Sequence, residues 1–360
     1  MTQTTPLIST LTPTQHLALR AAAQHLEPAL AAPPTVQVSL TRRGNTYTSL
    51  NPALHGPLYA LLLAHCHTPR RLALENHPLP SAAPPTTLSG TNPTKPRAIV
   101  LDCEMAGAGP SRTQDEIISL SVIDFFTGAT LLHTLVCPTK PVTDWRTAVT
   151  GVTAGMMAAA VARGEALRGG REAAVAALWG VVGRETVVVG HAVGHDLRAL
   201  GVGFGRVVDS GVLAAEAAGT LSERKGVRQP VGLQRLCREL VGVRIREGGG
   251  GRHDSLEDVL ATREVVVWCL RHPEELRVWA AENWRVKEKG AKGKRGTGRR
   301  QGGARGGGIS VSMGTMSFSL GMMRADVYAN EWDDEDDEMP RWKDEVDWDT
   351  WPKSPPDWSD

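Results

Sequence analysis

The chain lacks the marks of a secreted or membrane protein. Its five cysteines (Cys66, Cys103, Cys137, Cys237, Cys269) are odd in number and scattered without paired spacing. That pattern argues against a disulfide framework and for reduced thiols in an intracellular compartment. His65, Cys66 and His67 form a local cluster, but no second ligand pair follows at zinc spacing; packing at a helix end is the simpler reading. The start MTQTTPLIST has no basic region followed by an apolar one, so no secretory signal is expected. The longest apolar run, LYALLLA, falls far short of the roughly 20 residues that span a bilayer. Net charge is also nearly absent, at +1, but the sum hides a strong separation of sign along the chain.

A length of 360 residues allows one sizeable domain with extensions or two small ones. Residues 14–32 and 52–66 have apolar residues at helical spacing and predict a small N-terminal helical region over 1–76. Residues 77–96, rich in Pro, Ser and Thr, read as a linker. From Arg97 the pattern is mixed α/β. AIVLDC, IISLSVIDFF and TLLHTLVCP read as three strands, with a turn at Thr127-Gly128 between the second and third. Helical stretches then alternate with the short runs TVVVG and RVVDS, and a last helix is expected over Ser255–Leu270, before His272-Pro273. Three antiparallel strands followed by parallel ones predict a five-stranded mixed sheet flanked by helices over 97–273. Residues 285–305 hold nine Lys or Arg against one acid, and residues 326–360 hold fourteen acids, three bases and five of the ten tryptophans. Neither the basic, Gly-rich stretch (285–325) nor the acidic, Trp-rich tail has a periodic apolar face, so both are expected to be largely disordered.

Four carboxylates and one histidine stand out within the α/β region: Asp102 and Glu104 in LDCEM, Asp196 in GHAVGHDLRAL, His253 and Asp258 in RHDSLEDVLAT. Side chains alternate faces along a strand, so Asp102 and Glu104 share one face. Unpaired carboxylates at the end of a buried strand are costly unless cations neutralise them. Hard oxygen ligands suit magnesium or manganese. Asp196 has a bland reading as a helix N-cap, and His191 and His195 beside it are proton-transfer candidates more simply read as structural. Asp258 lies five residues after His253, about 140° off its face on a continuous helix. The two share a site only if His253 is on the loop. Asp254 as cap with Glu257 three residues on resembles a capping box, which places Asp258 in the first turn and leaves His253 before it. The run Gly248–Gly251 predicts a mobile loop just ahead of His253.

Together these motifs resemble the DEDDh 3′→5′ exonucleases, which have a ribonuclease H-like fold. The first motif, DCEM at Asp102–Met105, is similar to that of the eukaryotic RNA exonuclease branch, as are PTKPVTDWRTAVTGVT and GLQRLCRELVGVRI. The resemblance covers about 97–273. Departures are Gly194-His195 where polar residues are common, Trp145 where tyrosine is usual, and the added glycines before His253; none removes an acid.

The resemblance implies that Asp102, Glu104, Asp196 and Asp258 hold two Mg2+ (or Mn2+) ions and that His253 is the general base. It also implies release of nucleoside 5′-monophosphates from RNA 3′ ends, in RNA processing or decay. The rival readings are a DNA 3′→5′ exonuclease and an inactive nucleic-acid-binding scaffold. The basic stretch suits phosphate binding or nuclear import, so the nucleus or nucleolus is the expected location, with the cytoplasm as the alternative. The acidic tail is expected to dock a protein partner, with folding back onto the basic stretch in competition with nucleic acid as the alternative; no membrane partner is expected.

Overall fold

A two-residue alternation in the strand Ala98–Ala108 (β3) sets the architecture. Its even positions Ala98 and Val100 enter one apolar core, and its odd positions Ile99, Leu101 and Cys103 enter another on the opposite face. Such two-sided burial is what a central strand requires. Asp102 and Glu104 continue the even face and therefore point toward whatever covers the first core.

The computed structural model describes residues 40–78, 80, 95–109, 114–218, 231–247 and 250–293, with side chains to 283. The expected helix at 14–32, most of the 77–96 linker, the basic stretch beyond 293 and the acidic tail lie outside the described residues. β3 pairs antiparallel with β4 (Gln114–Asp124), and β4 with β5 (Thr130–Cys137). On its other side β3 pairs parallel with β8 (Val187–Gly190), and β8 with β9 (Val207–Asp209). This is the five-stranded mixed arrangement expected from the sequence. The sheet is nonetheless seven-stranded: β6 (Val142–Asp144) pairs with the end of β3, and β7 (Ala166–Arg168) with β5. Three-residue strands carry too few side chains to print a period, which is why the sequence did not announce them.

Helix α9 (Ser255–Arg271) lies over the even face of β3 and the Ser119, Ser121 and Ile123 face of β4, with Val259, Val265, Val266 and Val267 in the shared core. Helices α5 (Gly170–Val181) and α6 (Gly194–Leu200) cover the odd face through Ala174, Leu178, Leu197 and Leu200. The turn between β4 and β5 forms where expected, with Asp124 Oδ1 accepting from the amides of Phe126 and Thr127. Deep in the core, Arg263 donates to the carbonyls of Phe125, Phe126 and Thr48 and pairs with Glu264 at 3.0 Å. A fully buried guanidinium is tolerable because its donors are met.

The residues ahead of the linker share this core. Strands β1 (Leu40–Arg42) and β2 (Asn45–Tyr47) form a hairpin through Arg43 and Gly44, both left-handed, the geometry of a two-residue turn. Helix α1 (Pro52–His65) starts on Asn51, whose side chain accepts from the Ala53 amide, and buries Leu54, Leu58, Leu61 and Leu62 beside Val208 and Leu213. After α1, the His67 amide donates to Val207 O, and His67 Nε2 accepts from the Asp209 amide at 2.9 Å. The outer edge of β9 is thus occupied by the chain's own N-terminal portion, which blocks pairing with another strand. The remaining helices are α2 (Pro69–Leu74), α3 (Thr147–Thr150), α4 (Ala154–Arg163), α7 (Ser210–Ala217), α8 (Leu233–Leu236) and α10 (Pro273–Gly293). No helix of the described residues is long and apolar enough to cross a membrane.

Candidate functional site

Asp102 and Glu104 emerge from β3 on the α9 face, opposite Ser121 and Ser119 of β4. A register shift follows Glu104, a bulge of the kind that re-aims side chains at functional edges. Asp196 does not cap its helix. Val193 holds the cap position, and Asp196 sits in the first turn of α6, where its Oδ1 accepts from the Cys103 amide at 2.9 Å. The turn before it needs Gly190, because a Cβ there would stand 2.5 Å from Val193 Cβ and 3.1 Å from Leu101 O.

The third motif divides as helix geometry demands. Asp254 caps α9, its Oδ1 accepting from the amides of Leu256 and Glu257. The second half of the capping box does not form: Glu257 accepts from the Arg246 amide instead and lies 3.6 Å from Arg43. His253 precedes the helix, its amide donating to Val149 O at 2.7 Å, and Asp258 lies in the first turn. Of the glycine run ahead of it, Gly250 and Gly251 are left-handed (φ 70° and 77°), while Gly248 and Gly249 lie outside the described residues.

Glu104, His253 and Asp258 offer ligand atoms within 4.8 Å of one another, and no other such cluster of three occurs among the described residues. His253 Nδ1 is 3.5 Å from Asp258 Oδ2. Asp102 and Asp196 stand outside that radius but inside electrostatic reach. Burial, then the neighbouring Asp196, Asp258 and Glu104, hold the Asp102 carboxyl well above the usual range. Burial and Asp258 push Glu104 up to about 8. Burial outweighs the Cys103 hydrogen bond at Asp196, also pushed up to about 8. These are the shifts of acids buried and crowded together, only partly offset by the Arg246 charge. His253 is pushed down to about 4, by burial first and then by Arg246.

Glu104 Oε1 and Asp258 Oδ1 are both buried without a hydrogen-bond partner. Two orphaned carboxylate oxygens beside a third acid are the donor set a hard divalent cation takes. The residues present therefore fit such an ion.

His191 and His195 are engaged elsewhere. His191 Nδ1 bonds Ser210 Oγ at 2.8 Å, and His195 Nδ1 accepts from Arg198 at 2.9 Å. The His65-Cys66-His67 cluster binds nothing together: His65 Nδ1 meets Leu61 O, Cys66 is in the core and His67 serves Asp209. Trp145 is partly buried against a small cluster with Val152 and Met157.

Two contributors were not foreseen. Asp209 caps α7 through the amides of Gly211 and Val212 and also accepts from the Val193 amide at 2.9 Å, holding the turn that delivers Asp196. An Asp-Ser pair ending an apolar run is a cap signal that could have found it. Arg246 donates to Asp258 Oδ2 at 2.9 Å; nothing local in VRIREG marks it.

Residues 99–266 match the family described as Exonuclease. The chain is similar in sequence to fungal RNA exonucleases. It is 32% identical over 166 residues to RNA exonuclease 4 of Candida glabrata, covering 46% of this chain and 56% of that protein. It is 34% identical over 165 residues to RNA exonuclease 4 of Gibberella zeae, covering 46% of each. The chain thus spans about half the length of the curated relatives it matches. Among solved structures it is similar to the Saccharomyces cerevisiae Pan2 pseudoubiquitin hydrolase–RNA exonuclease module in complex with A7 RNA. That match has 14% identity and a TM-score of 0.44, covering 62% of this chain and 36% of that one.

Proposed function

We propose that this chain is a divalent-metal-dependent 3′→5′ exoribonuclease that releases nucleoside 5′-monophosphates. The observation that carries the reading is the pair of orphaned oxygens, Glu104 Oε1 and Asp258 Oδ1, in a buried acidic cluster that also holds His253. Asp102, Glu104, Asp196 and Asp258 would hold two Mg2+ or Mn2+ ions. When bound, such ions supply positive charge at the scissile phosphate and activate water.

The chain's own groups do the rest. The Cys103 amide fixes the Asp196 carboxylate, and the Asp254 cap sets the start of α9, which carries Asp258 in its first turn. His253 is neutral at physiological pH and turns Nδ1 toward Asp258, which leaves Nε2 to take the proton of the attacking water.

The names of the fungal relatives support RNA as the substrate. The basic stretch at 285–305 supports binding of the substrate's phosphates and a nuclear location, and the tail at 326–360 supports docking of a protein partner.

Purified protein incubated with Mg2+ or Mn2+ and 3′-labelled RNA and DNA tests the proposal. Rapid release of labelled 5′-monophosphate from RNA is expected. A preference for DNA would move the chain to the rival exonuclease class, and no hydrolysis of either would leave the scaffold reading.

A further inference from the structure

Arg246 is the one guanidinium or ammonium among the described residues that lies within ion-pair distance of any of the four acids. Its Nη2 donates to Asp258 Oδ2 at 2.9 Å, and the side chain is only 17% exposed. Its charge opposes the burial that raises Asp102 and Glu104.

Comparison with Arg263 shows that this pair is poorly made. Arg263, fully buried, meets three carbonyls and a carboxylate. Arg246, mostly buried, places Nη2 on Asp258 while its Nε is buried without a partner. Its backbone is left-handed at φ 64°, which costs a non-glycine residue about 1 kcal/mol or more. A settled structural pair is expected to satisfy its donors on relaxed backbone. A charge held under strain, half-satisfied, against a group that needs a cation is better described as a stand-in.

We infer that Arg246 is the counter-ion of this acid cluster when no cation is bound, and that it competes with a divalent cation for the negative charge of Asp258. The inference rests on the metal-dependent reading above. It follows that Arg246 sets the metal concentration at which the site fills: a cation that takes both Asp258 oxygens must displace the guanidinium from Oδ2, and one that takes Oδ1 alone must sit beside its positive charge, so the site binds more weakly than its four acids alone would allow.

Calorimetric titration of the full chain with Mn2+ tests this, comparing wild type with Arg246→Gln, Arg246→Lys and Arg198→Gln. Arg198 contributes charge near Asp196 without pairing with it, so its variant measures the general effect of losing one positive charge. Arg246→Gln is expected to bind Mn2+ about tenfold more tightly, Arg246→Lys to fall between it and wild type, and Arg198→Gln to stay within about threefold of wild type. In EDTA the melting temperature of Arg246→Gln should lie below wild type, and Mn2+ should raise it by more. Equal affinities for wild type and both Arg246 variants overturn the inference while leaving the metal site standing, as does an equal gain from Arg198→Gln. Absence of Mn2+ binding in every protein overturns the metal-dependent reading and this inference with it.

Discussion

The Cys103 amide donates to Asp196 Oδ1 at 2.9 Å, so the strand that supplies the first two acids also fixes the third. Cys103 turns its side chain to the opposite core, which is how one tripeptide, Asp-Cys-Glu, presents two carboxylates and a donor at once. Asp196→Asn keeps an acceptor for that amide, whereas Asp196→Ala strands it. Both variants should lose Mn2+ binding, but only the alanine should lose stability, by about 1–3 kcal/mol in urea denaturation. Equal stabilities would show that the hydrogen bond does not hold the site.

Asp209 touches no reacting group, yet it holds the turn that places Asp196. Removing its side chain strands the Val193 amide and uncaps α7. Asp209→Ala should cost about 2–4 kcal/mol and weaken Mn2+ binding although no metal-binding acid is changed. An unaltered Mn2+ isotherm would confine Asp209 to a purely structural role.

Burial of the acids, with crowding second, predicts an unusual pH response in EDTA. Glu104 and Asp196 titrate near 8 in the folded protein and near 4 when unfolded. The native state therefore binds more protons across that window, and stability present at its acid end is lost as pH rises through about 8. His77 and His253, both pushed down to about 4 by burial, and His133, His191 and His195, also lowered by burial, oppose this only weakly: an unfolded histidine is about a quarter protonated at pH 7 and essentially neutral by pH 8.5. His67 is also pushed down by burial but is held above its ordinary value overall by Glu216, so it acts in the same direction as the acids. The melting temperature in EDTA should fall from pH 7 to 8.5, and the rise produced by Mn2+ should grow. A flat or rising profile in EDTA would mean that burial does not hold these acids in their protonated form.

His253 should matter for the chemical step and not for assembly. His253→Ala is expected to lower kcat by about 10²–10⁴-fold at saturating metal. Because burial holds the imidazole at about 4, and bound cations would lower it further, the loss should be equal at pH 6 and pH 8. A defect that disappears at pH 6 would show that the histidine is protonated and idle there.

Much of the site was legible because its constraints are local. Alternation along LDCEM puts Asp102 and Glu104 on one face, and five residues between His253 and Asp258 force the histidine off the helix. The Asp254 cap is an equally local signal. What escaped was long-range. The Cys103–Asp196 bond joins residues 93 apart in sequence, and Arg246 reaches Asp258 from a loop with no periodicity. The hairpin at Leu40–Tyr47 was missed because three-residue strands carry no pattern, although Arg43-Gly44 is a turn signal. Nor does local pattern show that α1 completes the core: an apolar helix face does not say what it packs against.

The central claim is that the acids of this site act together to trim RNA from its 3′ end. Its most direct test is digestion of 5′-labelled RNA by wild type and by a folded Asp258→Ala variant, each with Mg2+ and with EDTA. The account predicts a ladder shortening by single nucleotides for wild type with Mg2+, and intact RNA in the other three reactions. Internal cleavage, trimming in EDTA, or full activity of the variant would contradict it.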